Sequence, residues 1–196
     1  NFEPLEKRKQ MFRDPEVRAI FGVRGGYGSS RIIPRLDPEI VRANPKIFIG
    51  MSDLTALLLW LREACGLVSF HGPMVARRGG WSDGVWKQLV EALEGRDTGR
   101  PLRPEGLVTL IGGVAEGPLV GGNLTILSHC IGTPWQPDLT GAILFIEEVN
   151  ERYWRVDRKI VHLRASGLLD GVTGVLVGQV HKHGEPEEGG DRLDEV

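Results

Sequence analysis

The sequence predicts an α/β protein built on a parallel sheet and followed by a second, smaller α/β unit. Three observations predict it. Short apolar stretches rich in branched residues alternate with Leu/Ala-rich helical stretches between Val17 and Phe70. The stretch 77–117 is too rich in Gly and Pro to be core and reads as a domain crossover. Strand and helix patterns then resume between Ala142 and Val180. The expected division is an N-terminal α/β domain at 1–76, a crossover at 77–117 and a C-terminal unit at 118–196.

The elements follow in order. Leu5 to Arg13 is short and amphipathic, and Asp14-Pro15 suits a helix restart with Pro in the first turn. VRAIFGV, Val17 to Val23, is a buried-strand pattern that runs into the glycine-rich turn RGGYGSSR, Arg24 to Arg31. IIPRLD and DPEIVRAN predict short helices divided at Pro34 and Pro38. Lys46 to Ile49 is a second strand, Ser52 to Ala64 a helix, and Leu67 to Phe70 a third strand closing on His71-Gly72-Pro73. A helix is expected at Val85 to Leu93. Beyond the crossover come a strand at Ala142 to Ile146, a helix at Trp154 to Ser166 and a strand at Gly174 to Val180. No internal repeat or low-complexity tract interrupts this order.

Composition bounds the function. The chain has 196 residues, enough to bury a core without metals or disulfides, and its 41% hydrophobic and 26% charged content is that of an ordinary globular protein. A formal net charge of -2 weighs against a nucleic-acid partner. Cys65 and Cys130 lie in apolar surroundings without CxxC spacing and read as buried thiols of a reducing compartment. Apolar runs stop short of the roughly 18 residues of a membrane span, and NFEPLEKRKQ has no signal-peptide core, so the expectation is a soluble cytoplasmic protein. The chain begins without Met and ends in the polar stretch GGDRLDEV, which suggests a fragment truncated at both ends.

Three places carry residues suited to chemistry. In KIFIGMSDLTALLL, Ser52 stands between a strand and a helix, where a helix N-terminus presents N–H groups to a developing oxyanion. A Ser-Asp pair also starts helices as a cap, and spacing alone favours the cap. The glycines of RGGYGSSR let a ligand approach backbone N–H groups, yet the stretch matches neither a phosphate loop nor a dinucleotide turn. Glu147 and Glu148 follow AILFI at a strand end, either as a solvated pair or with one carboxylate orienting an imidazole. Among the histidines, His129 reads as core and His162 as a packed or surface helical residue. His181 and His183, just past a strand end, are better placed than His71 or the others, and no spacing compels any of them.

Taken together, DPEVRAIFGVRGGYGSSRIIPRLD, NPKIFIGMSDLTALLL, FHGPM, GGNLTILSHCIGTPWQPDL and ILFIEEVNERYWRVDR followed by LDGVTGVLVGQ resemble the LD-carboxypeptidases, serine peptidases of the S66 type that include the microcin-immunity hydrolases. The resemblance implies a flavodoxin- or Rossmann-like N-terminal domain joined to a C-terminal domain, typically in a homodimer. It also implies a Ser-Glu-His triad without metal or cofactor, acting on the bond before terminal D-alanine in muropeptides. On matching positions it makes Ser52 the nucleophile and Glu147 the triad carboxylate, with Glu148 the fallback. The oxyanion donors become Asp53 N–H and Gly26 N–H, Gly26 ahead of Gly25. Arg24 and Arg31 are candidates for holding the substrate's terminal carboxylate.

Met51 stands where the family usually has an aromatic residue. The family's histidine lies in a Gly-His-Gly type motif well downstream of the LVGQ strand; His183-Gly184 resembles it but comes too early, so the base is expected beyond this chain. The leading expectation is a carboxypeptidase of peptidoglycan recycling with a small muropeptide substrate. A second is an immunity-type hydrolase of peptidyl or aminoacyl nucleotides, stacking a base on Trp81 or Trp86. A third, of another class, is a non-catalytic module binding an anion at RGGYGSSR.

Overall fold

The computed structural model describes residues 10–76, 80, 82–96 and 106–181. Among them lie two three-stranded sheets, each parallel throughout. The first orders β1 (Ala19–Phe21), β2 (Ile47–Gly50) and β3 (Phe70–His71) side by side; the second orders β4 (Leu119–Asn123), β5 (Ile143–Val149) and β6 (Gly174–His181). The helices are α1 (Ser29–Ile32), α2 (Pro38–Ala43), α3 (Thr55–Cys65), α4 (Asp83–Leu93), α5 (Leu124–Cys130) and α6 (Tyr153–Ala165). Residues 10–13 are helical as well, and short 3-10 turns lie at Ile33–Arg35 and Ser52–Leu54. This is the α/β architecture that the alternation predicts.

Helix α3 organises the packing. Every residue from Thr55 to Leu61 is buried, and a helix apolar on all sides belongs inside a core rather than on its surface. One continuous apolar cluster runs from Phe12 and Ile20 through Leu57 and Leu61 to Leu124, Leu127, Leu144 and Leu168, so both sheets draw on the same core. Helix α2 starts as its sequence dictates: Asp37 accepts the N–H of Glu39 at 2.9 Å, and Pro38 occupies the first turn.

Three expectations change, and one strand is new. No helix restarts at Pro15: the Asp14 carboxylate takes the N–H of Glu16 and its carbonyl that of Val17, closing a turn into β1. The third strand is not Leu67–Phe70 but Phe70–His71. Gly66 N–H bonds Arg62 O and Leu67 N–H bonds Leu61 O, both at 3.0 Å, so the end of α3 consumes Leu67's donor in a Schellman motif. Strand β5 continues past Ile146 to Val149, which puts both glutamates inside the sheet instead of in a loop. Finally, VGGN is a strand. Gly121 and Gly122 adopt φ of 143° and 139°, and a Cβ on Gly121 would stand 1.8 Å from Phe145 O, so only glycine lets β4 approach β5 there.

Candidate active site

Strand β2 carries the chain to Gly50, Met51 stays extended, and Ser52 then turns into the left-handed region at φ 60°. Asparagine, aspartate and glycine visit that region readily; for serine it costs on the order of 1 kcal/mol and marks a position held by its surroundings. Ser52 opens a 3-10 turn that leads directly into α3, and neither that turn nor α3 takes a side-chain cap. The cap reading that spacing favours is therefore not how the fold uses this serine. The geometry is that of a strained strand-to-helix elbow with a half-buried hydroxyl-bearing residue at its apex.

The glycine-rich turn lies against this elbow. A Cβ built on Gly25 would stand 2.9 Å from Ser52 Oγ and 3.7 Å from Met74 Cε, so the missing side chain is what allows the turn to approach. Gly26 follows with φ 143°, exposed, and with nothing within 4 Å of the position of a Cβ. Asp53, next to Ser52, reaches back to this segment: its Oδ2 accepts the N–H of Ser29 at 3.0 Å and the Oγ–H of Ser29 at 2.7 Å. Arg24 and Arg31 are both exposed; Arg31 donates to Tyr27 OH at 2.9 Å and lies 5.0 Å from the centre of its ring.

The carboxylates occupy the carboxyl end of β5. Glu148 is 3% exposed and fully engaged: Oε1 accepts Asn123 Nδ2–H and Val149 N–H, each at 3.0 Å, and Oε2 accepts Thr125 N–H at 2.9 Å and Thr125 Oγ1–H at 2.5 Å. Glu147 is 7% exposed, and its Oε1 has no hydrogen-bond partner among the described residues. Burial pushes the Glu147 carboxyl above the usual range; the Asn123 amide works against this and the neighbouring Glu148 adds to it. The ladder between β5 and β6 slips by one residue here: Ile146 pairs with Val177 but Glu148 with Val180. Such a bulge re-aims the side chain opposite it, which is Glu147.

Asn123 joins the carboxylates to the serine's helix. It pairs with Glu147 in the ladder, its N–H donates to Thr55 Oγ1 at 3.1 Å, and its Oδ1 caps α5 by accepting Ile126 N–H. Gly122 packs so closely that a Cβ would stand 2.7 Å from Thr55 Oγ1 and 3.2 Å from His71 Nδ1. His71 sits edge-on to Phe145, ring centres 5.1 Å apart, its Nδ1 unpartnered among the described residues, and burial lowers its pKa to about 4. The two sheets thus come together around Thr55, His71, Gly122 and Phe145, with Ser52 three residues from one side of the joint and Glu147 two residues from the other.

Sequence reasoning named Ser52, Asp53, the RGG turn and Glu147 but not Ser29, Thr55 or Asn123. An Asn ahead of an apolar helical run is a cap signature that marks Asn123; nothing local marks the other two. His129 is exposed on α5, not core, because it falls on the opposite side of that helix from Leu127 and Cys130; His162 is exposed on α6. The side chain of His181, and His183 and Trp81 altogether, lie outside the described residues. Both cysteines are free and buried, and burial pushes each thiol up to about 11. Among the described residues no cluster of His, Cys, Asp or Glu could hold a metal ion, and no helix is long and apolar enough to cross a membrane.

Comparison with known proteins meets this geometry from another side. Residues 3–72 match the model of the LD-carboxypeptidase N-terminal domain, and residues 116–196 that of the LD-carboxypeptidase C-terminal domain. A Bacillus subtilis (strain 168) protein named "Probable murein peptide carboxypeptidase" is 40% identical over 185 residues, covering 91% of this chain and 57% of that protein. The crystal structure of muramoyltetrapeptide carboxypeptidase from Oxalobacter formigenes superimposes with a TM-score of 0.86 at 31% identity, covering 98% of this chain and 66% of that one. The microcin C7 self-immunity protein MccF of Escherichia coli is 29% identical over 209 residues, covering 89% of this chain and 60% of that protein. The chain therefore spans little more than half the length of the curated relatives it matches.

Proposed function

Because the chain belongs to the LD-carboxypeptidase family of S66 serine peptidases, we propose that it carries the nucleophile and the orienting carboxylate of a hydrolase that removes terminal D-alanine from muropeptide tetrapeptides. The observation that carries the proposal is Ser52 itself: a serine in left-handed conformation at the end of β2, uncapped, with a glycine turn against its Oγ. A structural serine has no need of that strain.

In this reading Ser52 Oγ attacks the carbonyl before the terminal residue and passes its proton to a histidine of the full-length protein, contributed by the family's downstream motif. Glu147 accepts from that imidazole, fixing its tautomer and stabilising the imidazolium. The unpartnered Oε1 of Glu147 supports this over Glu148, whose oxygens are both taken twice. Backbone N–H groups of Asp53 and Gly26 stabilise the oxyanion. Arg24 or Arg31 receives the substrate's terminal carboxylate; the contact of Arg31 with Tyr27 favours Arg24 as the freer cation. Water then releases the acyl group. A cytoplasmic homodimer working in peptidoglycan recycling is the setting the family supplies for this chemistry.

A second reading, hydrolysis of aminoacyl nucleotides, draws on Trp86. It is 36% exposed on α4 and lines a shallow hollow of about 270 Å³ with Lys87, Val90, Glu91 and Arg96; the aromatic face suits a base, while Glu91 and the pairing of Arg96 with Glu94 leave Lys87 as the cation for a phosphate. Incubating the full-length protein with a muropeptide tetrapeptide and, separately, with an aminoacyl adenylate decides between them. Release of D-alanine, lost in S52A, is the expected result. Turnover of the adenylate alone favours the second reading, and turnover of neither leaves an anion-binding module.

A further inference from the structure

We propose that Ser29 is a positioning residue, clamped by the Asp53 carboxylate so that the turn 24–28 is held over the nucleophile. The proposal rests on the serine-hydrolase reading of Ser52. Ser29 is 4% exposed although its neighbours Gly28 and Ser30 are not buried and Tyr27 is 82% exposed; the chain dips inward at this one residue. What it meets there is Asp53, twenty-four positions later, through two hydrogen bonds to a single oxygen. Hydrogen bonds to a carboxylate are shorter and stronger than those between neutral groups, which suits an anchor.

The two ends of the turn are fixed differently. At its start, Gly22 O accepts Val75 N–H at 3.0 Å and Val23 O accepts Ala76 N–H at 2.7 Å, so the entry is tied to the segment following β3. At its end, the tie to the serine elbow is Ser29 on Asp53. Between these points lies Gly25, against Ser52 Oγ, and Gly26. Asp53 thus has two attachments to the same small volume. Its backbone N–H belongs to the residue directly after the nucleophile, while its carboxylate secures the loop that brings the second proposed oxyanion donor. Displacing that loop by about an ångström would misplace a donor whose value depends on being preorganised, and loss of one such donor lowers turnover by about 10²- to 10³-fold.

The competing explanation is that Asp53 only caps α1, a single helical turn, in which case its loss would lower stability without a specific effect on turnover. The full-length S29A, S29T and D53A variants distinguish the two. S29A removes the hydroxyl donor and keeps the N–H; S29T keeps both; D53A removes the acceptor. The expected result is kcat lowered about 10- to 100-fold in S29A and D53A with KM changed less than about threefold, recovery in S29T, and amide exchange at 24–28 accelerated about tenfold in the two deficient variants. Wild-type kcat in S29A or D53A overturns the proposal, as does a lowered kcat without faster exchange at the turn. If the wild-type protein turns over neither substrate, the hydrolase reading falls by itself, and exchange at 24–28 in S29A still decides whether the clamp exists.

Discussion

Glu147 and Glu148 are neighbours on β5 and opposites in circumstance. Each oxygen of Glu148 accepts two hydrogen bonds, while Oε1 of Glu147 accepts none from the described residues. Their neutral isosteres should therefore fail in different ways. E147Q loses turnover by at least about 10³-fold, on the scale of mis-set tautomers in serine triads, with the melting temperature held or raised, since a buried charge is removed. E148Q exchanges two acceptor sites for an NH₂ facing donors and lowers stability by about 1–3 kcal/mol. Parallel kinetic assays and urea unfolding of both variants check this; the reverse pattern would make Glu148 the working carboxylate.

Gly25 yields a prediction of another kind. Its φ is not in the left-handed region, so alanine fits the backbone, but the new Cβ meets Ser52 Oγ at 2.9 Å and Ser52 Cβ at 3.0 Å. G25A should fold with stability within about 1 kcal/mol of wild type and lose most of its turnover, because the collision falls on the proposed nucleophile rather than on a core side chain. A G25A protein with normal kcat would mean that the turn and the elbow move apart without consequence, and the elbow geometry would lose its meaning.

Much of this could be read from the residues alone, and what could not has a common cause. The alternation of branched strands with α3 announces parallel pairing, and RGGYG, GMSD and FIEE mark three corners of the candidate site. Burial of Glu147 and Glu148 was hidden because two successive glutamates look like a loop until Asn123 and Thr125, from an element more than twenty residues earlier, supply the donors. Strand β4 was hidden because its glycines suppress strand propensity for the sake of close approach to β5. The Ser29–Asp53 hydrogen bonds were hidden for the same reason: the two residues stand far apart in sequence, and neither has an unusual local pattern.

The strain at Ser52 can be weighed directly. Glycine adopts φ 60° freely, whereas alanine does not, so S52G should be more stable than S52A by about 1 kcal/mol, both variants lacking turnover. Chemical denaturation of the pair isolates the backbone term, because each lacks the hydroxyl. Since alanine otherwise gains about 0.4–1 kcal/mol over glycine by restricting the unfolded chain, an S52A protein more stable than S52G by that amount would show that the left-handed conformation at this position carries no cost.

His71 sets a pH dependence whose sign follows from its burial. Its pKa falls from 6.5 to about 4 on folding, so between these values the unfolded chain binds the extra proton and the folded chain does not. The stability associated with the neutral imidazole is therefore complete above pH 6.5 and is lost as pH falls toward 4, to a limit of about 3 kcal/mol. Glu147 acts oppositely: its raised pKa makes stability decline as pH rises above the ordinary glutamate range. The two opposing terms make the wild-type profile alone ambiguous, and comparison with H71Q removes the ambiguity. Unfolding free energies at pH 7 and pH 4.5 should differ more in wild type than in H71Q, with the excess loss on the acid side. Because the ring packs on Phe145 and faces Gly122, protonation strains the joint between the two sheets. Acid should therefore speed amide exchange at Gly122 and Asn123 before it reaches the buried middle of α3, and uniform acceleration across both would place the acid-sensitive step somewhere other than His71.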